Sequence, residues 1–398
     1  MNKTRLSTTL LLIGVFFLTS CEGESELVWK KKNISQILPV GSGYSLFCDQ
    51  NTFGLLDSVG NMKWSREVEG IKQVRLRKID NKYVLTGDTR LFRIIDLEGE
   101  TQWEWIAPTG SSAWIVGSLG TNLIVAVDSD TNYDKNPIYI QAVDIITSII
   151  AWRNDDVDYS GVLKNPSQDF SSPVVNVPTT VGTTAWIDGI DATDGNHLWR
   201  VYWDLPPPGQ PIVLAANTEF FWAWRVTGDT YQVSTIDSKT GKVIGTAQSP
   251  KQNLVRHNRV GNRVYVEFED EIGYFDSKVT YQKLHSTWFP LCGLPGSKDR
   301  LIAVSWDCQS IATLDVKTLD TQEIAKTSIC YNATSGKLPG EVFLTPAFQP
   351  YDYNTMRIMV ETETSTDLAE AYEHLMNVGR DGRGLKEVEL KLKEVLQD

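Results

Sequence analysis

A five-residue segment that is apolar at its first and fourth positions and ends in Asp recurs seven times along the chain. The copies close at Asp57, Asp96, Asp144, Asp191, Asp237, Asp276 and Asp315. The residue before each Asp is apolar (Leu56, Ile95, Val143, Ile190, Ile236, Phe275, Leu314), and so is the residue four before it (Phe53, Phe92, Ile140, Ile187, Val233, Ile272, Ile311). The segments are short, β-branched or aromatic, and punctuated by turn residues, which predicts strands rather than helices. Spacings between successive Asp residues are 39, 48, 47, 46, 39 and 39. That period matches the 40–50 residues of a four-stranded propeller blade.

Each Asp sits where a carboxylate can accept hydrogen bonds from the amides of the following turn. Gly60, Gly99, Gly195 and Gly241 follow by three or four positions, where a tight turn needs positive φ. Trp64, Trp103, Trp152 and Trp199 follow at seven or eight, and their wide rings suit the wedge between twisted blades. The last three copies lack this Trp; Ile244 and Leu284 stand at comparable positions in two of them. The pattern, clearest at Ile236–Lys242 and Ile190–Gly195, resembles the repeat of quinoprotein-type (PQQ-like) propellers. It spans about 27–328 and implies an all-β propeller of seven or eight blades. Eight is favoured: Leu27-Val28-Trp29-Lys30 reads as an outer strand without its own Asp, able to complete a last blade built from 340–363.

The ends differ from this body. Lys3 and Arg5 precede the apolar run Leu10–Leu18, which is too short to span a bilayer and reads as a secretory signal. Leu18-Thr19-Ser20-Cys21 resembles the lipobox of bacterial lipoproteins. The resemblance implies cleavage after residue 20 and acylation of Cys21 (palmitate among the chains), with stable anchoring because two or more chains insert. In that family Asp directly after the Cys favours inner-membrane retention; Glu22 stands here, so outer-membrane anchoring is expected, facing the periplasm or the cell surface. The expected organisation is a signal peptide (1–20), an acidic tether (21–26), the propeller (27–364) and a helical tail (365–398). In the tail, Leu368, Ala371, Tyr372, Leu375, Met376 and Val378 share one helical face, and Leu385, Val388, Leu392, Val395 and Leu396 a second.

Net charge of −12 argues against a nucleic-acid partner, which calls for Lys and Arg at phosphates. Beyond Cys21, four cysteines remain in an oxidising compartment. Cys292–Cys308 with Cys48–Cys330 is one pairing, and buried free thiols are the alternative. The four His are scattered, which speaks against zinc. Asp128, Asp130, Asn132 and Asp134 alternate like the start of a calcium loop. Tyr133 stands where such a loop needs Gly and Tyr139 where it needs a bidentate Glu, so a polar turn is the leading reading and calcium the alternative. Asp155, Asp156 and Asp158 read as an exposed acidic loop rather than an acid–base pair. Quinoprotein dehydrogenases carry adjacent cysteines, and this chain has none. No cofactor is therefore expected. A non-catalytic envelope scaffold or assembly factor binding other envelope or outer-membrane proteins is the primary reading. The alternatives are a glycan or small-ligand module, with Phe220–Trp224 as stacking aromatics, and then a quinone-dependent or carboxylate-based enzyme.

Overall fold

The computed structural model describes residues 25–32, 34–41, 43–79, 81–129, 138–155, 173–181, 184–204, 213–216, 219–227, 230–248, 254–268, 271–284, 286–327, 331–339, 341–347, 354–360 and 362. These residues form thirty-one strands in eight antiparallel sheets and no helix. The sheets are the blades of a propeller: 36–67, 74–106, 111–154, 174–204, 213–248, 254–284, 288–326, and a last blade combining 331–360 with 25–32. We letter the strands of a blade a to d. First strands of neighbouring blades lie against one another, so a is innermost and d is the rim. Blade 4 shows b, c and d among the described residues. The predicted tail (365–398) and Cys21 lie outside the described residues.

Eight blades is thus the count adopted, and the N-terminal strand closes the ring. Ser25–Lys32 pairs antiparallel with Asn354–Val360, from Ser25↔Val360 to Lys32↔Asn354. Trp29 is buried there against Phe343, ring centroids 6.0 Å apart. On strand c of blade 8, Arg357 donates from Nε to buried Glu341 (2.8 Å) and from its guanidinium to the Ser58 carbonyl of blade 1. Joining the ends this way leaves only short, protected sheet edges.

Middle strands are buried on both faces because a blade is covered on both sides. In Leu123–Val127 every residue is buried, whereas in the rim strand Met62–Glu67 only Trp64 is partly covered. The seven aspartates sit at the c–d turns. Each accepts from backbone N–H groups: Asp57 from Val59 and Asn61, Asp96 from Glu100, Asp144 from Ile146 and Thr147. Asp191 takes Thr193, Asp237 takes Lys239 and Thr240, Asp276 takes Lys278 and Thr280, and Asp315 takes Lys317 and Thr318. Every one of these turns then passes through a left-handed residue: Gly60, Gly99, Ser148, Gly195, Gly241, Val279 and Leu319.

At most of these turns an indole from the preceding blade lies against the left-handed residue. A Cβ on Gly60 would meet Trp29, on Gly99 Trp64, on Gly195 Trp152, and on Gly241 Trp199, each at 2.3–2.8 Å. Trp64 Nε1 donates to Leu97 O (2.8 Å), Trp152 Nε1 to Ala192 O (3.1 Å), and Trp103 Nε1 to Ser148 Oγ (3.1 Å). At Gly60, Gly99, Gly195 and Gly241 the absent Cβ leaves room for the ring, whereas Ser148 keeps its Cβ and meets Trp103 through its hydroxyl.

Two expectations are corrected. Ile244 is exposed and does not replace the Trp of blade 5, where a bulge puts Gly245 at that register position opposite Thr235, and Leu284 does not replace it in blade 6, where Gln282 stands opposite Tyr274. The cysteine pairing also differs. Cys48 and Cys292 are free, and Cys308 is disulfide-bonded to a residue outside the described set. Cys48 is packed between blades 1 and 2, its Sγ donating to Val74 O (3.4 Å). Cys292 pairs with Ile302 on strand b, whereas Cys308 lies beyond the far end of that strand, in the b–c hairpin. Burial pushes the Cys48 thiol up to about 12 and the Cys292 thiol to about 11.

Candidate functional site

A cavity of about 180 Å³ opens between blades 2 and 3, on the face that carries the b–c hairpins. One wall is strand a of blade 2, Val74–Ile79. Its alternation turns Val74 and Leu76 into the core with blade 1 and sends Arg75 and Arg77 the other way, into the cavity. The opposite wall is the start of strand a of blade 3, with Ala113, Trp114 and Ile115. Phe92 forms the floor, packed at 5.4 Å on Trp105.

The rim is the hairpin Gly87–Arg90. Asp88 (φ 45°) and Thr89 (φ 57°) are both left-handed without being Gly, a conformation that costs of order 1 kcal/mol per residue. Several bonds hold it. Asp88 accepts from Lys72 N (2.8 Å) on one carboxylate oxygen and from Gln73 N (3.0 Å) on the other. Thr89 O accepts from Ala113 N (2.6 Å), and Thr89 Oγ1 lies 3.3 Å from Ser112 Oγ. The hairpin thus bridges blades 2 and 3. Burial, and then the charge of Arg75, lowers the Arg77 guanidinium below its ordinary value.

A second charged cluster lies in the wedge between blades 3 and 4. Asp188 is fully buried on strand c of blade 4. It accepts from Arg200 Nε (2.7 Å) and its terminal nitrogen (2.9 Å), and from Trp186 Nε1 (3.0 Å), with His197 Nε2 at 2.9 Å. Arg200 also lies over the Trp186 ring at 4.8 Å. With four contacts from three residues on one carboxylate, this network is a satisfied structural strut rather than a reactive group.

The residues singled out from sequence are placed as follows. The seven repeat aspartates line the c–d turns on the face opposite the cavity. Of the calcium-like run, Asp128 lies on strand b of blade 3, paired with Ser112 and Ile138; Asp130, Asn132 and Asp134 fall outside the described residues. Among the described residues no three His, Cys, Asp or Glu side chains are arranged to hold a metal ion. Asp155 pairs with Arg153, while Asp156 and Asp158 are not described. Phe221, Trp222 and Trp224 are fully buried core between blades, not an exposed stacking platform. Arg75 and Arg77 were not singled out. Their signal was two arginines alternating with Val74 and Leu76 in an acidic chain, but nothing local says that a second blade closes over them.

The architecture is shared with solved propellers. BamB from Moraxella catarrhalis superposes with a TM-score of 0.53 at 13% identity, covering 84% of this chain and 99% of that one. The C-terminal WD40 domain of Sif2 gives 0.56 at 11% (85% and 98%). Quinohemoprotein alcohol dehydrogenase from Comamonas testosteroni gives 0.52 at 11% (84% and 76%). No family model and no curated protein matches the chain. The likeness is one of fold. It joins this chain to binding propellers and to enzymes alike, so it leaves the choice between them to the site.

Proposed function

We propose that this chain is a non-catalytic scaffold of the cell envelope, anchored through lipid on Cys21 and holding outer-membrane proteins during their assembly. The observation that carries this reading is where the closing strand begins. Ser25 starts the rim strand of blade 8, at the end that lies beside the close of strand c, on the Asp-turn face. Cys21 is four residues earlier, a reach of at most about 14 Å of extended chain. A lipid on Cys21 would therefore hold the ring close to the bilayer by blade 8, with the b–c hairpin face turned outward. The architecture shared with BamB, an outer-membrane assembly propeller, supports a scaffold on such a platform. Eight blades locked by buried indoles and a closed ring form a rigid body whose loops can vary, which suits protein recognition.

A mild-detergent pull-down of the tagged protein from its native envelope tests this, with Cys21→Ala as control. A stoichiometric outer-membrane partner, lost or depleted when the Cys21→Ala protein is released from the membrane, is expected. A membrane-extracted protein that brings down no partner overturns the scaffold reading.

A further inference from the structure

The c–d turns carry more than the seven aspartates. We propose that their face of the ring lies against a lipid bilayer, with a crescent of exposed aliphatic side chains from blades 8, 1, 2, 3, 4 and 5 seated in the headgroup layer. The proposal deepens the anchored reading above, which it uses only to name lipid as the occupant.

Placement is the first argument. At this end of six consecutive blades an aliphatic side chain stands in solvent: Leu27, Met62, Leu97, Ile146, Leu198 and Ile244. Each lies in a c–d turn or within the first three residues of a rim strand. Blades 6 and 7 add none among the described residues, and their turns present Lys278 and Lys317 instead. Toward the opposite face the exposed large apolar side chains are Ile106, Tyr202, Val255 and Trp306, scattered over blades 2, 4, 6 and 7, and two of these four are aromatic.

Blade 3 supplies the densest part of the crescent. Ile146 is 76% exposed and Ile149 65%, with Ile150 next in the chain and also exposed. Turns are ordinarily built from Gly, Asn, Asp and Ser, and aliphatic surface left in water is unfavourable. The charged group of this turn has little need of water. One Asp144 oxygen accepts from the Ile146 and Thr147 amides and the Thr147 hydroxyl, and the other from the Thr121 hydroxyl (2.6 Å). Ile146 is therefore held outward on a fixed backbone.

Chemistry and shape select the occupant. Surfaces that grip proteins concentrate Trp, Tyr and Arg near the centre of a compact area. The large exposed apolar residues of the crescent are instead all aliphatic, and they follow the rim of one face, an arrangement that meets a plane. The chain before Ser25 leaves from this same face, at the blade 8 end of the crescent, and Cys21 is four residues away. Amphipathic helices settle about 5–10 Å into the headgroup and acyl boundary with a strength that scales with apolar area, and the same rule applies to apolar turns. Acyl chains on Cys21 supply retention, and the crescent sets which face meets the membrane.

The full-length protein, reconstituted with vesicles of phosphatidylethanolamine and phosphatidylglycerol, tests this. A nitrobenzoxadiazole label is attached through Ile146→Cys or, toward the opposite face, Ile106→Cys. The Cys48 and Cys292 thiols do not compete near neutral pH, because burial holds them at about 12 and about 11. Ile146 and Ile106 are both exposed, so the melting temperature should match the parent's. The label at 146 is expected to shift to the blue and to be quenched by lipid carrying a spin label on its acyl chain, and the label at 106 to do neither. Adding Ile149→Asp, a charge at an exposed position of the same turn, should remove most of the shift and quench without releasing the protein from the vesicles. Equal responses at 146 and 106, or none at 146 in vesicle-attached protein, overturn the lipid face. So does a label at 146 already shielded before vesicles are added, which gives the face to the chain's own 365–398 segment. The mass of the N-terminal peptide reports acylation separately. An unmodified Cys21 with the 146 signal intact removes the anchor and leaves the face; an acylated Cys21 without that signal removes the face and leaves the anchor. Protein that never attaches to the vesicles overturns both.

Discussion

The wedges of blades 8 through 5 and those of blades 5 through 8 are sealed by different means. From blade 8 round to blade 5, a rim-strand Trp meets the left-handed residue of the next c–d turn: Trp29, Trp64, Trp103, Trp152 and Trp199. Beyond that the rim Trp disappears. Between blades 5 and 6 Gly245 occupies its register position, and Trp222, two strands inward and aligned with Thr235, fills the space. Its Nε1 donates to Asp276 O (3.1 Å), at the same turn that a rim Trp would reach. Blades 6 and 7 place Gln282 and Gln322 at that register position. Gln282 accepts from the Tyr274 hydroxyl, and Gln322 from Arg300 (2.9 Å). Val279 and Leu319 stand where Gly stood before. Where no rim-strand Trp lies against the turn, a larger side chain stands in place of Gly, at the cost of a strained φ. A large apolar contact on one side of the ring is thus matched by small polar contacts over a mixed aliphatic and aromatic core on the other.

That contrast can be broken by measurement. The largest effect is expected at Trp222, which is fully buried and has no rim partner to share its role. Trp222→Ala should cost about 3–5 kcal/mol in denaturant unfolding, and a loss as small as that of a surface substitution would remove it from the seal. Gly195→Ala comes next. Its new Cβ would lie 2.3 Å from the Trp152 ring at a φ of +76°, and a cost of about 1–3 kcal/mol follows from overpacking and strain. The matching change on the other side, Leu319→Gly, should cost less, about 1 kcal/mol or below, because relief of a φ of +64° offsets the loss of a partly buried side chain packed on the core. Equal costs for the two changes would erase the distinction.

Smaller again is Gln322→Ala, expected at about 1 kcal/mol or less, below the usual value for a hydrogen bond to a charged group because Arg300 is partly exposed and keeps Thr313 as a second acceptor. The last test is common to both sides. The Thr121 hydroxyl, then the Thr147 amide and hydroxyl, hold the Asp144 carboxyl down at about 2, and the Thr318 and Lys317 amides lower Asp315. A carboxyl lowered by folding stabilises above its unfolded value and loses that contribution as pH falls through the folded one. Stability should therefore decline below about pH 4 and continue to fall toward pH 2. Asp144→Asn should flatten part of that slope, and an unchanged profile would show that the turn hydrogen bonds are unimportant in acid.

How far the chain could be read before folding depended on the range of each interaction. The seven Asp turns, their Gly residues and four docking tryptophans repeat within eight residues of one another, so period and spacing revealed them. The blade-closing role of Val28-Trp29 was legible too, since it repeats the rim pattern without the Asp. Ser148, Val279 and Leu319 were missed because a left-handed turn residue that is not Gly carries no local signal. Ile244 was misplaced because a one-residue bulge changes which side chain faces the next blade. Cys292 looked close to Cys308 in sequence, but the strand between them carries Cys308 beyond the opposite end of the sheet.

The amino-acid sequence by itself determined the all-β propeller, its repeat length, the turn chemistry and the ring-closing strand, because these follow from patterns within one blade. Tertiary structure alone decided that Trp222 replaces an absent rim Trp, that Asp188 gathers Arg200, His197 and Trp186, and that Arg75 and Arg77 share a cavity with Trp114. Those contacts join residues from different strands or blades. Their positions depend on how adjacent sheets twist and pack, which no spacing along a single chain encodes.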